Sequence, residues 1–553
     1  MDRRSFLLAA GATGAATATG AGFWRWLEIP TEVRAPGRDL GHLLRQPHAV
    51  PPSRAQYETD VVILGSGAAG LTAAWRLAKS GHAHFIVVGG PEPRGNLASG
   101  IAGEARYPTG AHYLPLPSRE STHIREMLED FGIILDDAQS ERPYYDERHI
   151  VHAPESRVLI DGLWHEGLLP PNALAADASA EHQRFFGYID ELARARGRDG
   201  KRAFAMPIAE SSADAQWRAL DMLAFSAWLD REAYRSTALR WYLDYACRDD
   251  YGRGCDQVSA YAGLHYFASR AGEARNAERG AMLTWPDGLD ALGNRLARSA
   301  KLSSASPSQG EGRGGGRSPT LLDGTVVSLR ESGTGVEALC LTHSSGGLES
   351  YVVKARRAIC AMPLHVTARV VDGLRDFGFE PREHLPAQAS WLVSNFVLSR
   401  FPAELPGAAL AWDNVLLGST SLGYVVSTHQ DFRVGPPPRT VFTAYHALAE
   451  MSPQEAREWM MRASPAELLE LASADLRAAY GWKLAACCER AEITLRGHAM
   501  AVPAPGYLSN PGLLALREAD GRMLFAHSDL SGYSVFEEAA WWGDRCARRI
   551  CST

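Results

Sequence analysis

The chain has 553 residues, enough for several structural units, and 46% hydrophobic against 22% charged residues is globular composition, which excludes wholesale disorder. Its 57 basic and 64 acidic residues leave a net charge of −7, which argues against sequence-independent nucleic-acid binding. Five of the basic residues are lysines, and the eight cysteines contain no CxxC pair, so zinc-ribbon and thioredoxin-type patterns are absent.

The chain opens Met1-Asp2-Arg3-Arg4-Ser5-Phe6-Leu7-Leu8, then runs through Ala, Gly and Thr to about Phe23. Charged start, mildly apolar middle and small residues at Ala16-Thr17-Ala18 make a signal peptide over 1–30. Arg3-Arg4 followed by Ser-Phe-Leu resembles the twin-arginine export signal of bacteria, a route for chains that fold and load cofactor first. The implied setting is periplasmic or exported. The implied partner is the export machinery, with membrane contact only in transit. Residues 31–57 are rich in Pro, Arg and His without a period and read as a linker draped on the surface.

Thr59–Leu64 is a β-rich run, Gly65-Ser66-Gly67-Ala68-Ala69-Gly70 follows, Leu71–Ser80 reads as a helix ending at Gly81, and Phe85–Val88 is a second strand. This strand–GxGxxG–helix–strand order is a dinucleotide-binding fingerprint. Gly65 permits the tight turn, Gly67 lets backbone approach a pyrophosphate, and Gly70 lets helix and strand pack closely. The helix N-terminus then faces the phosphates. An acid is expected at the end of the second strand for the ribose hydroxyls, but Gly89-Gly90 stand there. Either Glu92 reaches back, or backbone and water hold the ribose.

Arg94-Gly95-Asn96 and Gly110-Ala111-His112-Tyr113 resemble the post-strand segments of flavin-dependent amine oxidases and their relatives. Trp285–Leu292, the strand Thr325–Leu329 with Val327, and the returning strand Val352–Pro363 follow in that family's order. Near the C-terminus, Gly521–Asp529 and Ser531–Ala540 resemble its closing flavin motif. The resemblance implies an α/β fold: a Rossmann-like FAD-binding domain assembled from 58–119, 285–375 and 500–553. It also implies an α+β substrate domain from the inserts 120–284, largely helical, and 376–499, strands plus a long helix near 454–480. The Gly/Ser-rich stretch 302–319 reads as a surface loop.

By the same resemblance, FAD contacts fall on the Gly65–Gly70 loop, Glu92, Arg94, Gly110, Ala111, His112, Val327, Ser528, Asp529, Val535 and Phe536. His112 and Tyr533 are the candidate catalytic residues. Counting back from Gly543 puts Val535, not Tyr533, at the place of the ring-side tyrosine. No cysteine stands at the covalent-flavin position, which implies noncovalent FAD. The strand Ser394–Leu398 lacks the lysine common beside the flavin, and Met500-Ala501-Val502 lacks the second cage aromatic. The implied reaction is hydride transfer from an amine or polyamine C–H to flavin. The alternatives are C–C dehydrogenation of an apolar substrate, or a noncatalytic flavin protein. An acid-lined tunnel marks the first, an apolar tunnel the second.

Overall fold

Val61, Val62, Ile63 and Leu64 are buried to 2% exposure or less in the computed structural model, which describes residues 26, 28–44, 50–170, 176–306, 318–345, 347–435 and 437–552. They form the inner half of a strand, Ser53–Leu64, with neighbours on both sides. Phe85–Val88 pairs parallel on one side and Gly347–Cys360 on the other. Continuous apolar runs of this kind suit a parallel sheet covered on both faces. Thr320–Leu322 and Ser303–Ala305 extend the sheet beyond Phe85–Val88. Gly347–Cys360 also pairs antiparallel with Gly335–Ser344 and, at its end, parallel with Met523–Phe525. The helices Ala68–Lys79 and Phe536–Cys551 pack together beside the sheet.

The second eight-stranded sheet is mixed. Gln388–Leu398, buried at every position, lies between Cys488–Ala501 and Thr440–Ala447, antiparallel to both. Tyr424–Val426 and Asp413–Leu416 continue it. The insert 120–284 supplies more than helices: its hairpin Ser156–Ile160/Leu163–Glu166 adds two strands to this sheet. Its helices Ala176–Arg194, Phe225–Arg231, Thr237–Tyr251 and Ala260–Ser269 bury an aromatic core of their own.

Three expectations change. Residues 31–57 are not a draped linker. Thr31–Arg34 is an edge strand, parallel to Cys488–Ala501, and the first strand of the cofactor sheet begins at Ser53. No period is legible there because both pieces are only half-buried. The expected signal-peptide range 1–30 overlaps the fold at its end, because Trp26 and Ile29 sit in the core of the second sheet, Trp26 edge-on to Phe396 at 6.5 Å. The twin-arginine residues themselves lie outside the described residues, as do 307–317 of the Gly/Ser-rich stretch. Finally, the long helix near 454–480 is three helices, Pro453–Arg462, Pro465–Ala472 and Ala474–Tyr480. Ser464 and Glu467 form a capping box, which starts a new helix there.

Candidate active site

The fingerprint loop has the shape that a dinucleotide needs. Gly65 adopts φ +116°, and a Cβ there would stand 2.5 Å from the Ala361 carbonyl oxygen. A Cβ on Gly70 would collide with the Gly65 carbonyl, so helix and strand touch through glycine alone. Gly67 is the opposite case: nothing lies closer than 3.9 Å to its added Cβ, and its open face sits at the start of the helix Ala68–Lys79, which has no side-chain cap. Those uncapped N–H groups are free for an anion. Ala68 shares this half-exposed rim, whereas Ala69 packs inward. Ser66 does not face outward: its hydroxyl donates to the Gly89 carbonyl at 2.5 Å and accepts from the Arg94 N–H.

The end of the second strand carries no acid. Gly89 and Gly90 donate their N–H groups to the carbonyls of Leu322 and Gly324. Glu92 is engaged elsewhere, with both carboxylate oxygens held by Arg496 at 2.8 and 3.2 Å. Arg94 occupies the left-handed region at φ 75°, and its guanidinium reaches Asn294 at 2.9 Å and Asp290 at 3.3 Å. Val327 falls in a β-bulge between Val326 and Ser328, out of ladder register. That frees its backbone for a ligand.

At the closing motif, Ser528 and Asp529 are buried. One Asp529 oxygen accepts from the Leu364 N–H at 2.9 Å, and the other lies 3.3 Å from the His527 ring. Burial alone would raise its pKa, but His527 and the N–H donors hold it down, to about 2. Val535 caps the closing helix, which begins at Phe536. Its first turn carries two buried carboxyls, Glu537 and Glu538, each pushed by burial up to about 7. Glu538 accepts from the Ile208 N–H and the Ser531 hydroxyl.

Tyr533 belongs to the helical core rather than to a cavity. Its ring lies 4.7 Å from His265 and 5.5 Å from Tyr251, and its hydroxyl accepts from Tyr507.

His112, next in sequence to the Gly110-Ala111 segment, does line a cavity of about 250 Å³. It stacks on Tyr445 at 4.5 Å, and the Tyr445 hydroxyl donates to the Gly110 carbonyl at 3.0 Å. Burial lowers the His112 pKa to about 3, so its ring is neutral. The walls are Tyr113, Tyr242, Tyr245, Tyr266 and Trp412, with Asp249, Asp413 and Arg270 among them. Burial, with the charge of Asp250, pushes Asp249 up to about 7. Burial and Asp249 push Asp413 up to about 8. From the sequence this helix was known only as part of a largely helical insert. Tyr242, Tyr245 and Asp249 stand at i, i+3 and i+7 on Thr237–Tyr251, a one-sided stripe ending in a carboxylate, and that signal was available. Trp412, Asp413 and Tyr445 had none, since they reach the cavity only through sheet pairing.

Residues 63–131 match the model of an NAD(P)-binding Rossmann-like domain. No curated protein matches the chain. Among solved structures, the chain is similar to putrescine oxidase bound to putrescine, with 16% identity, 90% of this chain and 100% of that chain covered, and a TM-score of 0.60. It is also similar to cyclohexylamine oxidase from Brevibacterium oxydans, with 17% identity, 89% and 99% covered, and a TM-score of 0.58. The chain has the amine-oxidase fold. Within that fold the fingerprint loop lies on the Rossmann-like sheet, and the aromatic cavity lies between the second sheet and the helical insert.

Proposed function

We propose that this chain is an exported FAD-dependent oxidoreductase that removes hydride from the C–H beside the nitrogen of an amine or polyamine. The observation that carries the reading is the cavity: aromatic walls with two carboxyls, Asp249 and Asp413, abutting the Gly110-Ala111 segment. Aromatic faces and carboxylates are the groups that hold an alkylammonium. A C–C dehydrogenase of an apolar substrate calls for a tunnel without them, because an unpaired buried carboxyl repels apolar ligands.

The residues fit FAD at its phosphate end. Gly67, Ala68 and the uncapped helix behind them would hold the pyrophosphate, and the bulged Val327 backbone would meet the adenine. With Glu92 bound to Arg496, the ribose hydroxyls fall to backbone carbonyls and water. FAD would be noncovalent and would accept the hydride. The chain's own work is to bind and orient. The aromatic walls exclude water, and neutral His112, stacked on Tyr445, keeps positive charge out of the wall between amine and cofactor. Asp249 and Asp413 are the carboxyls available to pair with an ammonium group. Export through the twin-arginine route belongs to this reading, with the Arg3-Arg4 motif as its support. Among the described residues no helix is long and apolar enough to cross a membrane.

The test is the visible spectrum of the purified chain, followed by anaerobic addition of mono-, di- and polyamines. Bleaching of a flavin band by an amine is the expected result. A bound flavin that no amine bleaches refutes the substrate class, and a chain purified without flavin refutes the reading altogether.

A further inference from the structure

The charges around the cavity do not balance. Arg270 is the one cation among its described lining residues. It is already bound to Asp250 at 2.6 Å and lies over the Tyr266 ring at 3.9 Å. Arg248, one residue before Asp249, is likewise engaged, by Asp244 at 2.9 Å and by the Thr420 carbonyl. Asp249 bonds a neutral partner, the Tyr113 hydroxyl at 3.2 Å; Arg270 and Arg248 favour its charged form only through space, against burial and the neighbouring Asp250 charge. Asp413 opens the strand Asp413–Leu416 beside Trp412, and its side chain has no cation beside it among the described residues. Tyr242, Tyr245, Tyr266 and Tyr445 face the pair as neutral rings, and His112 carries no charge.

A carboxylate enclosed by aromatic rings without a cation bonded to it is costly, so the protonated form is favoured until a cation enters. A ligand that brings positive charge reverses that preference. We propose that Asp249 and Asp413 act as a two-carboxyl proton store that reads the charge number of the entering amine. Each ammonium group that docks ionises one carboxyl and sends one proton to solvent. The exchange balances: a carboxylic acid and an alkylammonium become a carboxylate–ammonium pair and a released proton. A monoamine ionises one member and leaves the other protonated. A diamine ionises both, leaves no protonated carboxyl behind, and is the ligand that the site matches in charge. This rests on the amine reading above and names the charge class within it.

The experiment is calorimetric titration of the flavin-loaded protein at pH 7, in two buffers of different ionisation enthalpy. The probes are tert-butylamine and a diamine bearing the same tertiary-alkyl group at each end. Neither has a hydrogen on the carbon beside nitrogen, so neither can be oxidised, and proton release is read without turnover. The diamine is expected to release about one more proton per molecule than the monoamine. Asp413→Asn is expected to abolish that difference, because a single carboxyl then remains to be ionised by either probe. Equal release from both probes in the wild type overturns the proton store, as does a difference that survives Asp413→Asn. Failure of the amine reading looks different: neither probe binds and no amine bleaches the flavin.

Discussion

Gly65 and Gly67 stand two residues apart in one loop, yet the structure assigns their substitution to alanine opposite consequences. At Gly65 the backbone sits at φ +116°, and an added Cβ would lie 2.5 Å from the Ala361 carbonyl oxygen, about 0.5 Å inside the shortest tolerated approach. Left-handed strain costs about 1–2 kcal/mol. Forcing two strands apart at a backbone–backbone contact adds about 1–3 kcal/mol. Gly65→Ala therefore loses about 2–5 kcal/mol of stability, flavin or no flavin. At Gly67 the backbone is ordinary, φ −77°, and the nearest atom to an added Cβ is the Arg94 carbonyl oxygen at 3.9 Å. Losing glycine at a helix start and reducing unfolded-chain freedom offset each other to within about 1 kcal/mol. The new methyl occupies only the open face where the pyrophosphate would lie. The assay is paired: urea unfolding of the flavin-stripped proteins, and flavin content from the visible spectrum of the proteins as purified. Gly67→Ala should unfold like wild type and carry little flavin. Full flavin occupancy in Gly67→Ala, or equal destabilisation of both variants, refutes the argument.

Three further outcomes follow from buried charge. Asp529 is held at a pKa of about 2 against an ordinary 3.8, so its ionised form supports the fold above pH 4 and that support fades as pH falls toward 2. Asp529→Asn should cost about 2 kcal/mol at pH 7 and about half of that at pH 3, read by denaturant midpoints. Glu538 is pushed the other way, to about 7, so its ionisation opposes folding increasingly as pH rises from 4.5 through 7. Glu538→Gln should gain about 1 kcal/mol on wild type between pH 6 and pH 8.5, and an unchanged gap would show the carboxyl to be ionised at no cost. Arg157, fully buried, lies over Trp164 at 3.9 Å and bonds Asn414 at 2.6 Å and Glu404 at 2.8 Å. Arg157→Leu should destabilise by about 3 kcal/mol in urea, because it strands those acceptors.

The cofactor loop was legible because its constraints are local. The turn at Gly65, the open face of Gly67 and the helix–strand contact at Gly70 arise within six consecutive residues. The cavity was half legible. Tyr242, Tyr245 and Asp249 share one helix face, so their side of it is written in helical spacing. Asp413 and Tyr445 were illegible because strand pairing between distant segments delivers them. Tyr533 shows the limit of a motif match. It matches a motif tripeptide, and what the tripeptide does not state is that the ring packs against His265 and Tyr251. The edge strand Thr31–Arg34 was hidden because its partner, Ala491–Thr494, lies more than 450 residues away.

That pairing also sets an order of events on the ribosome. Residues 31–34 are made long before their partner strand, and their place in the sheet is defined only once residues 491–494 have emerged and paired with Gln388–Leu398. Trp26 and Ile29 wait with them, since Phe396 and Ile493 belong to the core they join. The N-terminal end of this chain is thus a late-closing seam. The docked edge strand therefore reports that the two strands on which it closes, roughly 350 to 460 residues further along the chain, have been made and have paired.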